Sequence, residues 1–326
     1  MRVRITYPSL ATRNPQPATL MHHFISIAAC SVAELEHVLQ VSDRLKEQHR
    51  QTGRNDPILA GKTLAMIFEK PSLRTHVAFD VAMAQLGGNG MLLRDDEVGL
   101  DRREPVKDVA RVLSGMCDGI MARTYQHQKM LDLAKWATVP VVNGLTDYSH
   151  PCQAMADLMT MREKFGDLTG RTMAFIGDGN NVARSLSVAC GKLGVRFILA
   201  SPAGYELPAA DMDRIMSQVP TMDFQTTRSP AEAVKEADVV YTDTWVSMGQ
   251  ETDKERRVRD FAGYIVDENL MSAAPEHAVV MHCLPAYRGM EISEGVMEGK
   301  QSAIFQQAAN RLHFQKGLLA VLLGGA

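Results

Sequence analysis

At 326 residues the chain exceeds one typical hydrophobic core, so two domains are expected. A composition of 45% hydrophobic and 22% charged residues is ordinary for a globular protein, and a net charge of −3 with a pI near 6.4 gives no global reason for a nucleic-acid or anionic-membrane partner. No apolar run reaches the roughly 18 residues of a membrane span. Five scattered cysteines (Cys30, Cys117, Cys152, Cys190, Cys283) without C-x-x-C spacing point to free thiols in a reducing compartment, not to a zinc site.

Residues 1–20 carry Arg2, Arg4 and Arg13 and no acid, and the first acidic residue is Glu34. A mitochondrial transit peptide has that bias, but Pro8, Pro15 and Pro17 spoil an amphipathic helix. The stretch reads as a tail outside the fold, disordered or not translated, with Met21 as the alternative start. Over residues 31–48 Val32, Leu35, Val38, Leu39, Val41 and Leu45 recur at helical spacing, and Ser31 with Glu34 forms a capping box. Residues 63–68 read as a strand, and residues 77–86 as a helix ending at Gly87-Gly88.

The polar loop between them, Glu69-Lys70-Pro71-Ser72-Leu73-Arg74-Thr75-His76, sets free backbone N–H groups in front of a helix dipole, an arrangement that favours an anion. Ser72 and Thr75 add hydroxyls, and Arg74 adds a fork that fits two phosphate oxygens. The plainer alternative is an N-cap serine beside a surface arginine.

Further on, residues 90–93 read as a strand, 94–104 as a charged loop and 106–116 as a helix. A buried strand over 119–124 carries Arg123 at its carboxyl end. A helix over 131–137, a strand over 139–142 and a turn at Asn143-Gly144 follow. Strands alternating with helices make a parallel sheet with right-handed crossovers, and ligands then sit beyond the carboxyl ends of the strands. The loop at 72–75, Arg123 and the turn leading to His150 all fall there. His150-Pro151-Cys152-Gln153 opens a helix over 151–165, with His150 and Gln153 on one face toward that mouth. His150 could equally be an N-cap or a buried structural imidazole.

A second alternating unit begins at a strand over 172–176. Its loop, Gly177-Asp178-Gly179-Asn180-Asn181, has G-x-G but Val182 in place of a third glycine. The next strand, over 196–201, ends without a ribose-binding acid, so no nicotinamide cofactor is expected. Asn180 and Asn181 instead offer amides to a small polar ligand. A strand over 237–242 ends at Asp243, with Ser247 and Met248 beyond, a carboxylate and a hydroxyl that suit a substrate ammonium. A strand over 278–281 ends at His282-Cys283-Leu284-Pro285, where Cys283 could be a nucleophile, although no thiol-hydrolase order accompanies it.

Four motifs taken together carry a resemblance: Ser72-x-Arg74-Thr75, His150-Pro151-x-Gln153, Asp243-x-x-x-Ser247-Met248-Gly249 and His282-Cys283-Leu284-Pro285. In this order and spacing they resemble the ornithine carbamoyltransferases, over residues 24–323 and including Asn310-Arg311. The resemblance implies an α/β fold of two doubly wound parallel-sheet domains joined by interdomain helices. The first, over 21–150, would bind carbamoyl phosphate; the second, over 151–302, would bind ornithine. Residues 303–326 would hold a final helix returning to the first domain.

The resemblance also implies a homotrimer with sites between subunits. Carried over by position, it puts carbamoyl phosphate on Ser72, Leu73, Arg74, Thr75, Arg123, His150 and Gln153, with Cys283, Leu284 and Arg311 at the reacting centre. Ornithine falls on Asn181, Asp243, Ser247 and Met248. Arg74, Arg123, His150 and Cys283 would act in catalysis, without metal or cofactor, since arginines supply the charge. The implied reaction makes citrulline and phosphate from L-ornithine and carbamoyl phosphate, in cytoplasmic arginine biosynthesis. An N-acylornithine or putrescine as acceptor, or a homologue without turnover, are the alternatives. Three departures from the pattern bear on them: Leu73 where a threonine is usual, Gly99 where a glutamine or histidine reaches the neighbouring site, and Ala309 before Asn310-Arg311.

Overall fold

The computed structural model describes residues 21–246 and 251–325, so the tail at 1–20 and the candidates Ser247 and Met248 lie outside the described residues. The chain enters through α1 (Val32–Thr52), whose capping box is complete: Ser31 Oγ accepts the Glu34 N–H, and Glu34 accepts the Ser31 N–H at 2.7 Å. Left-handed Gly53 ends it. There follow β1 (Thr63–Phe68), α2 (Leu73–Gln85), β2 (Asn89–Arg94), α3 (Asp95–Val98), α4 (Val106–Ser114), β3 (Gly119–Arg123), α5 (His127–Trp136) and β4 (Val141–Leu145). The four strands are all parallel, in the order β2-β1-β3-β4.

Several boundaries differ from the periodicity reading, each for a physical reason. α2 begins at Leu73, four residues before Val77, because Ser72 caps it through the Thr75 N–H and a polar first turn carries no apolar period. Asn143 and Gly144 belong to β4 and do not form a turn. The Asn143 N–H bonds the Phe24 carbonyl at 2.8 Å, its side-chain amide bonds that of Ile25, and a Cβ at residue 144 would meet Met121 Sδ at 2.7 Å. α5 starts early, at His127, whose N–H is taken by the Asp147 carboxylate at 3.0 Å. The charged loop contains a one-turn helix, α3, closed by Gly99 in the left-handed region at φ +57°.

α6 (Pro151–Phe165) crosses to the second unit. This comprises β5 (Thr172–Ile176), α7 (Asn181–Lys192), β6 (Arg196–Ala200), α8 (Ala209–Gln218), β7 (Phe224–Thr227), α9 (Pro230–Val234), β8 (Val239–Thr242), α10 (Lys254–Asp260), α11 (Glu268–Met271), β9 (Val279–His282) and α12 (Glu294–Met297). Its five parallel strands run β7-β6-β5-β8-β9. The fold is α/β, two parallel-sheet units each wound outward from a first strand. Strand order reverses between β1 and β3 in one sheet and between β5 and β8 in the other, and such switch points open a crevice at the carboxyl ends.

Three hydrophobic clusters sit around these sheets. One covers the outer face of the first sheet (Ile67, Ile120, Val141 with Val106 and Met130), and one the outer face of the second (Ile176, Val240 with Trp245 and Phe261). The third is continuous between the units, joining Met66 and Met121 to Phe175 and Tyr241 through Leu158 and Leu318. α6 and the last helix, α13 (Ile304–Gly324), supply its middle. α13 lies against α1 so closely that a Cβ at residue 317 would stand 2.0 Å from Ser42 Oγ, which is why glycine is required there. Beside it Lys316 is buried and donates to Asn55 Oδ1 and Gln85 Oε1, and burial pushes its ammonium down to about 8. α13 thus carries residues of the chain's end back to the first sheet. Among the described residues, no helix is long and apolar enough to cross a membrane.

Candidate active site

The two switch points face one cavity of about 460 Å³. On the side of the first sheet, the loop after β1 and the first turn of α2 bring Lys70, Ser72, Leu73, Arg74 and Thr75 to its wall. The end of β3 brings Arg123, and the N-terminus of α6 brings His150 and Gln153. Arg311, expected at the reacting centre from the resemblance at Asn310-Arg311, arrives from α13. Its guanidinium donates to Gln153 Oε1 at 2.5 Å and to Thr75 Oγ1 at 3.2 Å. Arg123 donates to the same Thr75 oxygen at 3.4 Å. With two guanidinium N–H groups on its lone pairs, the Thr75 hydroxyl is left to donate its own proton.

This wall is rich in cations and poor in carboxylates. Lys70, Arg123 and Arg311 are buried at 7%, 6% and 2% exposure, and none of them, nor Arg74, is ion-paired to an acid among the described residues. Burial holds each below its ordinary value. Arg123 falls to about 10, with Arg311 and Arg74 adding their repulsion. The same burial and the same cations keep His150 well below the usual imidazole range, so its ring is neutral. Its Nδ1 is buried without a partner, as are Nε of Arg123 and of Arg311. Unpaired buried donors of one sign make a site for an anion. Lys70, passed over in the motif reading although it stands in the loop, rests 4.4 Å from the Tyr125 ring centroid.

Arg74 also reaches across the cavity to the Leu284 carbonyl at 2.5 Å. Leu284 is held at φ +58°, a backbone region that costs a branched residue about 1–2 kcal/mol. His282 secures it: Nδ1 accepts the Leu284 N–H at 2.8 Å, while Nε2 donates to Glu291 at 3.1 Å. Leu73 is 74% exposed, so its backbone N–H at the helix start, not packing against the loop, is what it offers the site.

The opposite wall differs in kind. Asp243 is buried, and its carboxylate already accepts from Asn180 Nδ2 at 2.8 Å, the Thr244 N–H at 2.8 Å and the Cys283 thiol at 3.0 Å. Burial and then the Asp243 charge push the Cys283 thiol well above its ordinary value, so it is a protonated donor and a poor nucleophile. Asn180 is fully engaged, since its Oδ1 caps α7 through Val182 and Ala183; it is not free for a ligand. Asn181 lines the cavity, with Nδ2 given to the Thr146 carbonyl. Asp243, His282 and Cys283 bring potential metal-ligand atoms within 4.8 Å of one another. Each of these groups already has a use, however: the ring nitrogens of His282 and the Cys283 thiol are spent on the bonds above.

Residues 22–163 match the family described as aspartate/ornithine carbamoyltransferase, carbamoyl-P binding domain, and residues 169–322 match its Asp/Orn binding domain. An ornithine carbamoyltransferase of Methanopyrus kandleri is 49% identical over 93% of this chain and 97% of its own. One of Anoxybacillus flavithermus is 48% identical over 92% and 96%. The solved structure of ornithine carbamoyltransferase from Pyrococcus furiosus superposes with a TM-score of 0.89 at 44% identity, covering 94% of this chain and 98% of that one. With both of its sheet units matched in order and nearly end to end, the chain belongs to the aspartate/ornithine carbamoyltransferase family and is a carbamoyltransferase.

Proposed function

We propose that the chain transfers the carbamoyl group of carbamoyl phosphate to the δ-amine of L-ornithine, giving L-citrulline and phosphate. The observation that carries this is the asymmetry of the cavity. Four cations without acid partners among the described residues line one wall, and a buried carboxylate held by neutral donors lines the other. In this reading Ser72, the backbone N–H groups of Leu73 and Arg74, and the Arg74 guanidinium hold the phosphate. Thr75, Arg123 and neutral His150 face the carbonyl oxygen, on which charge develops as the amine attacks. The carbonyl carbon gains the amine nitrogen and loses the bridging oxygen, and the phosphate leaves with the bonding pair and takes up the proton that the amine gives up. Arg311 and the Gln153 carbonyl orient the carbamoyl end.

Asp243, Asn181, Ser247 and Met248 receive the amino-acid head, with Cys283 and Leu284 beside the attacking amine. Because Asp243 already has three donors among the described residues, with room for one more on Oδ2, it receives an ammonium as a further partner, not by rescue of a bare charge. Discrimination is therefore expected near tenfold to a hundredfold. The test is kcat/KM for ornithine, N-acetylornithine and putrescine measured side by side. Preference for either of the last two overturns the acceptor assignment, and no citrulline from ornithine overturns the reaction.

The reading includes a cytoplasmic place in arginine biosynthesis, for which five free thiols among the described residues give support. It also includes a homotrimer. A leucine 74% exposed on the rim of a substrate cavity is accounted for by a neighbouring chain that covers it. Light scattering on active enzyme should return a mass of three chains, and a mass of one chain rejects the trimer.

A further inference from the structure

One buried carboxylate near the site has no part in the reaction described above. Asp157 lies on α6, one turn beyond Gln153, and is fully buried. Its Oδ1 accepts from Gln153 Nε2 and from Gln307 Nε2, both at 2.8 Å, and its Oδ2 accepts from the Tyr241 hydroxyl at 3.0 Å. These donors come from α6, α13 and β8. Burial pushes its carboxyl up to about 6, so near neutral pH it is ionised and can only accept.

An acceptor-only group has a definite effect on a glutamine. The two ends of an amide are nearly equal in shape, and only their partners decide which end points where. Asp157 takes the NH2 end of both side chains, so both oxygens must face away from it. The Gln153 oxygen faces Arg311 at 2.5 Å and the cavity. The Gln307 oxygen receives the main-chain N–H of His282 at 2.8 Å, at the end of the strand that carries Cys283 and Leu284. Were the Gln153 amide reversed, its NH2 would stand against the Arg311 guanidinium, donor against donor.

We propose that Asp157 is a positioning residue of the transfer reaction, which fixes the sense of the Gln153 amide so that an acceptor oxygen faces the carbamoyl group. Through Gln307 the same carboxylate ties the strand end bearing Cys283 to that orientation. The proposal rests on the function proposed above, in which Gln153 and Arg311 meet the carbamoyl end and Arg74 meets the phosphate end. It follows that Asp157 controls affinity for the carbamoyl group and leaves affinity for phosphate alone.

The experiment measures, by calorimetry, dissociation constants for carbamoyl phosphate and for inorganic phosphate in wild type, Asp157→Leu and Asp157→Asn. If wild type binds carbamoyl phosphate no better than phosphate, the functional reading fails before the variants are examined. Given a wild-type preference, Asp157→Leu should lose at least tenfold in carbamoyl phosphate affinity and less than twofold in phosphate affinity. Asp157→Asn can keep its oxygen toward the two amides and its NH2 toward the Tyr241 oxygen, so it should retain the preference within about threefold. An unchanged preference in Asp157→Leu overturns the proposal, and so does an equal loss for both ligands, which marks general damage to the site. Should the leucine variant not fold, Asp157→Ser is measured instead. Its single oxygen can hold only part of the arrangement, and a preference unchanged from wild type overturns the proposal there too.

Discussion

The two walls of the cavity handle buried charge in opposite ways. On the wall built from the first sheet and α13, Arg74, Arg123 and Arg311 donate to carbonyl, hydroxyl and amide oxygens, Lys70 rests on the Tyr125 ring, and burial depresses all four. On the wall built from the second sheet, Asp243 is surrounded by donors before any ligand arrives. Each family of buried charge is destabilising unless paired. The first wall therefore stores a demand for an anion, while the carboxylate of the second already has donors among the described residues and can accept one more on Oδ2. Binding energy should come mostly from the first wall and acceptor choice from the second.

The largest effect that tests this contrast is at Arg74. Its substitution by alanine removes a charge-assisted donor from the transferring group and should lower kcat by a hundredfold or more, about 3 kcal/mol or above. Steady-state rates with saturating ornithine check it, and near wild-type turnover would mean that the unpaired cations serve some other purpose. Next in size is Asp157. Its carboxyl moves from 3.8 to about 6 on folding. The folded chain thus keeps a proton between pH 4 and 6 that the unfolded chain has lost, and stability falls as pH rises through that window. Asp157→Asn does not titrate, so its stability relative to wild type should improve between pH 4 and 7, by on the order of 3 kcal/mol. Urea unfolding at both pH values reads this directly, and a constant difference would mean the carboxyl is not shifted.

On the second wall the effects are smaller. Cys283→Ala removes one of three donors to Asp243 and should reduce kcat/KM for ornithine about fivefold to tenfold, roughly 1 kcal/mol, whereas Cys283→Ser, which keeps a donor, should lose less. Equal losses in the two variants would show that the hydrogen bond is not what matters. The smallest change is at Leu73. A threonine at this exposed first helical position adds one hydroxyl at the cavity rim, and KM for carbamoyl phosphate should fall about threefold with kcat within twofold, as expected for binding shared by ground and transition states. An unchanged KM would indicate that the anion is held without help from that side chain.

The local chemistry of this chain was readable in one dimension. Ser31 and Glu34 specify the start of α1, Pro151 opens α6, and the run from Thr172 to Ile176 is a buried strand, because caps, proline and short-range periodicity act within a few residues. The motif residues Ser72, Arg74, Arg123, His150, Gln153, Asp243 and Cys283 could be singled out for the same reason: each stands at the end of a predicted strand or the start of a predicted helix. Tertiary structure decided the rest. Asn143 and Gly144 look like a turn and become strand because the segment at Phe24 pairs with them. Asn180 looks like a ligand donor and is consumed by α7 and Asp243. Arg311 reaches Thr75 across 236 residues only because glycine at 317 lets α13 settle on α1. Motifs and elements follow from contacts between near neighbours, which the order of residues carries explicitly. The charge state of His150, the protonated thiol of Cys283 and the sense of the Gln153 amide follow from what burial and distant side chains impose, and those exist only once the two sheets have closed around α6 and α13.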